Sequence, residues 1–317
     1  MSLIMIRRQA PMMLKVGTDC SGIEAVLQAL KLFKNLKISH EFSSEINLYA
    51  KESLLANYKP KLFFDDIKDN RKLPKLDLYV VGFPCQPASM AGLRLGSDDD
   101  RSSIFYYCIK TIKQTEPTIF ILENVKGILS VSNGTYWEDI LKTLNKLKDY
   151  KIYYKVLNTK DYSIPQNRER IYIVGLKSSK IVREFTFPKP QKLLDIKTFI
   201  DKDARYRDQI PQHILDNCLD KIKHHKGIFI DFSFLKYTSP DSYQTFSPTI
   251  LTNNTSIWCV PMHRRATIKE LLQLQGFPTS LKQVVSDSQF RKQIGNSMSV
   301  NVLYYLLQEC FLAVGIY

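Results

Sequence analysis

A thiol, a carboxylate and a pair of guanidinium groups stand out in this sequence by where they fall along it. Cys85 follows an apolar run from Leu76 to Phe83 and sits between Pro84 and Gln86. Such a run reads as a buried strand, ended by a proline that cannot donate to a ladder. Cys85 is thereby delivered to a strand's C-terminal edge, where ligands bind in open α/β sheets. A second apolar run, Thr118 to Leu122, ends in Glu123-Asn124-Val125. Two successive buried strands thus present a nucleophile and an acid at one sheet edge, which suits attack on an electron-poor ring with concurrent protonation. In Gln166-Asn167-Arg168-Glu169-Arg170-Ile171-Tyr172, alternation places Arg168, Arg170 and Tyr172 on one face. Two arginines there could hold a base carbonyl or a phosphate, and their charge could lower the thiol's pKa.

The elements that must position these groups are those of a doubly wound sheet. Leu14 to Thr18 alternates as a first strand, Asp19-Cys20-Ser21-Gly22 turns, and Ile23, Val26, Leu27, Leu30 and Phe33 recur at helical spacing. Glu45 lies just past a second strand ending at Ser44, where such folds bond ribose hydroxyls, and Ile46 comes after it. Asp66 and Ile67 lie just past a third strand, Leu62-Phe63-Phe64. Either carboxylate could equally be a helix N-cap. The polar stretch from Gln86 to Arg101 reads as a lid behind the thiol, and Ser102 to Lys113 as a helix. Lys177 to Lys192, basic and carrying Pro188 and Pro190, reads as a linker. Thr267 is the expected cap of a helix that Gly276-Phe277-Pro278 stops, and Gln293 to Val300 opens a last helix running to about Leu312.

The chain has 317 residues, 44% of them hydrophobic, which suffices for one large domain or a large and a small one. A net charge of +14 favours a polyanionic partner. Six cysteines with no CxxC pair fit a reducing compartment and neither a disulfide framework nor a zinc site. That compartment is the cytoplasm, at the nucleoid, for a bacterial chain, and the nucleus or a viral factory otherwise. No apolar run is long enough to span a bilayer, and Leu3 to Ile6 before Arg7-Arg8 is the wrong order for a secretory signal. His224-His225 lacks partners at metal-ligand spacing, so no metal is expected.

Gly82-Phe83-Pro84-Cys85-Gln86 resembles the nucleophile motif of the cytosine-5 DNA methyltransferases. Asp19-Cys20-Ser21-Gly22, Glu123-Asn124-Val125, Gln166-x-Arg168-x-Arg170 and Gln293 to Val300 match further motifs of that family, in its order. The resemblance runs from Val16 to the C-terminus and leaves only residues 181–260 without a motif. It implies an α/β Rossmann-like methyltransferase domain, residues 1–180 completed by 279–317, and a smaller target recognition domain at 181–278. It also implies a restriction-modification or viral enzyme, monomeric, that takes S-adenosylmethionine as methyl donor and duplex DNA as substrate. Cys85 would add to a flipped-out cytosine, Glu123 would act at N3, and Arg170, better than Arg168, would hold the pyrimidine carbonyl. The cofactor would lie against Cys20, Ser21, Gly22 and Ile23, then Glu45, Ile46, Asp66 and Ile67, with Pro84, Ile104, Asn296 and Ser297 closing the site. Gln86, Ser89 and Arg101 would contact DNA from the loop, and Thr249, Thr252 and Asn253 from the recognition segment. One departure stands out, because the family has an aromatic residue and further glycines where this chain has Cys20, Glu24 and Ala25. The alternatives are transfer-RNA methylation by the same chemistry, a catalytically silent nucleic-acid binder, and a thiol oxidoreductase. Val260-Pro261 after Cys259 departs from the transfer-RNA branch, which carries Cys-Phe-Thr at that place. Retention of Cys85, Glu123, Arg168 and Arg170 together opposes a silent binder, and Cys85 has no resolving cysteine near it in sequence.

Overall fold

The computed structural model describes residues 13–84, 104–204, 222–231, 239, 241–252 and 257–316. Cys85, Gln86, Ser89, Arg101 and Asn253 therefore lie outside the described residues.

Five parallel strands form most of the central sheet: β1 (Met13–Asp19), β2 (Lys37–Ser44), β3 (Leu62–Phe64), β4 (Leu78–Gly82) and β5 (Ile119–Val125). Two more, β6 (Tyr150–Asn158) and β7 (Glu169–Lys177), complete it, with β7 antiparallel to both β5 and β6. The order β3-β2-β1-β4-β5-β7-β6 reverses direction between β1 and β4. A doubly wound sheet opens its ligand crevice at that switch point.

Alternation along the central strands divides the core in two. Leu14, Val16, Leu78, Val80, Ile119, Ile121, Tyr172 and Val174 belong to one buried cluster. Tyr79, Val81, Phe120, Leu122, Ile171 and Ile173 belong to another. Both faces are covered, which is why these strands read as continuous apolar runs. Helices α1 (Ala25–Lys31) and α2 (Leu48–Asn57) contribute Leu30 and Leu54 to the first cluster. Helices α3 (Ile104–Thr115) and α4 (Thr135–Leu144) contribute Ile112 and Ile140 to the second.

The C-terminal portion contains α5 (Ile268–Gln275), α6 (Asp287–Asn296) and α7 (Val300–Val314). Thr267 caps α5 in a reciprocal box with Glu270, and Gly276 ends it in the left-handed conformation, φ 87°. The expected last helix is in fact two helices, because the backbone turns extended at Ser297 and Ser299. Asp287–Val314 taken together has the length and apolarity of a membrane span. The break divides it, and α7 buries its apolar side against α1 in the core.

Residues 177–192, a linker by composition, are packed against the large sheet's side of the molecule. Val182 and Arg183 both donate their backbone N–H to the Ala313 carbonyl, and Gln191 N–H donates to the Asp161 carbonyl. Phe185 is buried, 4.9 Å from the Tyr153 ring. A second, antiparallel sheet comes next, in the order β10 (Arg264–Arg265), β9 (Ile257–Cys259), β8 (Phe229–Asp231). Phe229, Ile257 and Cys259 join the first hydrophobic cluster, so this sheet shares a core with the large one.

Candidate active site

Register brings the chemistry together. Gly82, the last residue of β4, pairs with Glu123 of β5, and Pro84 and Cys85 come after Gly82 in the chain. A Cβ at position 82 would meet Glu123 Oε2 at 3.4 Å and Met298 Cε at 3.5 Å, in ordinary contact, so the end of β4 lies directly against the carboxyl group. Asn124 Nδ2 donates to the Phe83 carbonyl at 2.8 Å and fixes the end of β5 to the chain entering Pro84.

Glu123 is buried, and its Oε1 accepts no hydrogen bond among the described residues. Arg170 Nε stands 3.5 Å from that oxygen. Burial raises the Glu123 pKa, with Arg170 and then Arg168 opposing the shift. The group therefore keeps its proton further up the pH scale than an ordinary carboxyl, which suits an acid acting on a base.

Arg168 has a structural part beyond the contact the sequence led us to expect. Its guanidinium is buried, and Nη1 donates to the Ile250 carbonyl at 2.8 Å. Nη2 donates to the carbonyls of Gly295 at 3.1 Å and Ser297 at 2.8 Å. Nη1 and Nη2 thus make Arg168 a joint between chain segments, while Nε has no hydrogen-bond partner among the described residues. Burial lowers its pKa to about 9, with Arg170 adding to the shift and Glu123 opposing it. Gln166 reinforces the joint, donating to the Leu274 carbonyl and to Gln275 Oε1 and accepting from Ile250 N–H. Thr249 belongs to the same joint, since its hydroxyl donates to the Asn167 carbonyl at 2.5 Å.

One cavity of about 880 Å³ connects these groups with the expected cofactor residues. At one end Glu123, Arg168, Arg170 and Thr252 line it, and at the other Cys20, Gly22, Glu45, Ile46, Asp66 and Ile67. Pro84, Ile104 and Asn296 lie on its wall. Ser21, Ile23 and Ser297 stand behind the lining: Ile23 is buried in the core, and the Ser297 carbonyl also accepts from Gln275. Glu45 Oε2 accepts the Gly22 N–H at 2.8 Å and Oε1 the Asn47 N–H at 2.9 Å, while burial raises its pKa. Beside it the Ile46 side chain is 73% exposed. Burial first, then Asp19, pushes the Cys20 thiol far up, so it stays protonated.

Sequence reading missed Gln289, Lys292 and Gln293, which line the same cavity from α6 with Asn296. Their spacing, three and four residues apart, was the available signal for one helix face. Among the described residues no cluster of three or more His, Cys, Asp or Glu could hold a metal.

A family model described as C-5 cytosine-specific DNA methylase matches residues 19–312. Type II methyltransferase M.NgoBI of Neisseria gonorrhoeae is 34% identical over 295 residues, covering 88% of this chain and 88% of the relative. Type II methyltransferase M.HaeII of Haemophilus aegyptius is 34% identical over 284 residues, covering 86% and 85%. Among solved structures, Dnmt2 methyltransferase of S. pombe superposes with a TM-score of 0.67 at 18% identity, covering 95% of this chain and 99% of that one. That likeness is one of fold. A strand-edge acid and a facing arginine in one cavity thus agree with a sequence match over most of the chain, and the chain belongs to the C-5 cytosine-specific DNA methylase family.

Proposed function

We propose that this enzyme methylates C5 of one cytosine in a specific duplex DNA sequence, using Cys85 as nucleophile and S-adenosylmethionine as methyl donor. The observation that carries the reading is the single cavity joining Glu123 and Arg170 to Glu45, Ile46 and Asp66 at the ends of neighbouring strands. The cofactor end fits a nucleoside: an exposed apolar Ile46 offers a face for an aromatic ring, and the flanking carboxylates offer acceptors for ribose hydroxyls and an exocyclic amine. We assign DNA reading to the 181–278 segment, and catalysis and cofactor binding to residues 1–180 with 279–317.

A cytosine stacked in a duplex is out of reach, so it must be flipped into the cavity. Arg170 then holds the pyrimidine carbonyl while Glu123 protonates or hydrogen-bonds N3, drawing electrons out of the ring. The Cys85 thiolate adds to C6, and the electron pair released appears at C5. S-adenosylmethionine supplies an electrophilic methyl group to that carbon. Removal of the C5 proton afterwards re-forms the double bond and expels Cys85. The type II designation of the relatives supports a place in a restriction-modification system, and we assign the protein a monomeric working state.

The test is expression in a host without cytosine methylation, and then sequencing of plasmid DNA with 5-methylcytosine resolved by context. One recurrent context is expected, and it should vanish with Cys85→Ala. Unmodified DNA accompanied by methylated transfer RNA would overturn the substrate assignment.

A further inference from the structure

We propose that Glu24 is a positioning residue of the cofactor turn: buried behind it and bonded to Thr18 and Ser43, its carboxyl group fixes the path of Cys20 to Glu24 and so the Gly22 N–H that meets Glu45. The proposal rests on reading this end of the cavity as the S-adenosylmethionine site.

The turn is demanding. Cys20, Gly22 and Glu24 have φ of 49°, 54° and 61°, and only one of the three is glycine. Non-glycine residues resist the left-handed region, so contacts must hold the other two there. For Glu24 the contacts are plain. Its Oε1 accepts from Thr18 Oγ1 and from Ser43 Oγ, each at 2.6 Å. Thr18 Oγ1 is 2.8 Å from Ser21 Oγ, and His40 Nε2 is 2.7 Å from Ser43 Oγ. Thr18 and Ser43 direct their only hydroxyl protons to Glu24, so Ser21 must donate to Thr18 and His40 Nε2 to Ser43. β1, the turn and β2 thus converge on one carboxyl group. Ser21 N–H donates to the Ser44 carbonyl at 3.0 Å, which carries the constraint to the residue before Glu45.

A glycine at position 24 would satisfy the backbone with no side chain to house. Here the side chain is fully buried, and Oε2 has no hydrogen-bond partner among the described residues. The titratable groups facing it are His40 on β2, with Nε2 3.6 Å from Oε1, Glu45 after β2, and Tyr58 after α2. Burial pushes Glu24 up to about 7 and His40 down to about 4. Near neutral pH the imidazole is uncharged and the carboxyl group is part-ionised, with the charge of Glu45 opposing its ionisation. The grip on the turn therefore varies with pH.

The experiment measures S-adenosylmethionine affinity by calorimetry from pH 6 to 8, alongside KM and kcat at saturating DNA, for wild type, Glu24→Ala, Glu24→Gln and Glu45→Ala. Glu24→Ala should weaken binding and raise KM for the cofactor by about tenfold, the scale of a lost buried hydrogen-bond pair, with kcat within about twofold. Glu24→Gln keeps the acceptor and removes the charge, so it should restore affinity while flattening its pH dependence. Glu45→Ala reports on the site itself. If it loses cofactor affinity while both Glu24 variants bind as wild type at every pH, the Glu24 proposal fails and the site reading stands. If Glu45→Ala also binds as wild type, the site reading fails. Should Glu24→Ala not fold, a Glu24→Gln protein with unaltered pH dependence overturns the proposal alone.

Discussion

Glu123 and Arg170 stand 3.5 Å apart at the cavity's inner end, and their neighbour Arg168 donates to three backbone carbonyls. That division of labour is testable. Glu123→Gln should cut turnover by about 10²–10⁴-fold, the usual scale of a lost general acid, and leave cofactor affinity unchanged by calorimetry. The same substitution has a stability signature. Burial raises the folded-state pKa of Glu123, so the protonated form is favoured on folding and that advantage is lost as pH rises above the ordinary carboxyl range. Glu123→Gln should therefore gain stability relative to wild type on going from pH 4 to pH 8, and a difference independent of pH would contradict a raised pKa. Arg168→Ala would take the guanidinium from the carbonyls of Ile250 and Gly295, while that of Ser297 keeps its bond from Gln275. At about 1–3 kcal/mol for each unpaired buried group, urea titration should show several kcal/mol of lost stability. Arg170→Ala removes the cation facing buried Glu123, so turnover should fall and the stability loss should be larger at pH 8, where Glu123 is more ionised, than at pH 5.

The strands that carry these residues are set by close backbone packing as well as by pairing. Phe120 of β5 covers Gly175, its partner on β7, where a Cβ would come within 2.0 Å of Phe120 Cζ. Gly175→Ala should therefore push β5 away from β7 and cost about 1–3 kcal/mol, as overpacking of a tight core does. Because β5 and β7 carry Glu123 and Arg170 directly opposite Tyr172 and Val125, activity should fall with stability. A melting temperature equal to wild type would contradict the close packing. Gly295 serves a similar purpose between elements, since a Cβ there would meet the Leu251 carbonyl oxygen at 2.3 Å. The end of α6 is thereby pressed against the stretch that leads to Thr252.

At the scale of the whole molecule, charge and shared core act together. The net charge of +14 supplies the electrostatic part of DNA binding, so affinity should fall steeply and log-linearly with salt. Replacing single lysines or arginines in the 181–278 segment should weaken all DNA sites alike where they touch phosphate, and relax one position of the methylated context where they touch a base. Loss of a base contact should cost about 1–3 kcal/mol of discrimination. The panel is read by context-resolved methylation sequencing. A context that never changes across it, while changes in residues 86–101 alter it, would move DNA reading to that loop.

The sequence by itself determined the sheet and its reactive edge. Runs such as Leu76 to Phe83 and Thr118 to Leu122 are legible because a strand buried on both faces must be apolar throughout, and the residues just past each run fall at the ligand edge. It also placed Glu45 and Asp66, for the same reason, and Thr267 with Gly276, because capping is local chemistry. Partners at long range were not legible. Alternation assigned Arg168 a face, but its carbonyl partners lie 82, 127 and 129 residues away, and only tertiary structure brings them within reach. Composition made 177–192 a linker, although backbone bonds to Ala313 and Asp161 bind it to the large sheet's side of the molecule. Glu24 reads as a departure from a glycine pattern, and its meaning depends on Ser43 and His40, which β-sheet pairing alone carries to its side. Spacing fixes which way a side chain points, whereas the hydrogen bonds it makes depend on which distant backbone the fold packs against it.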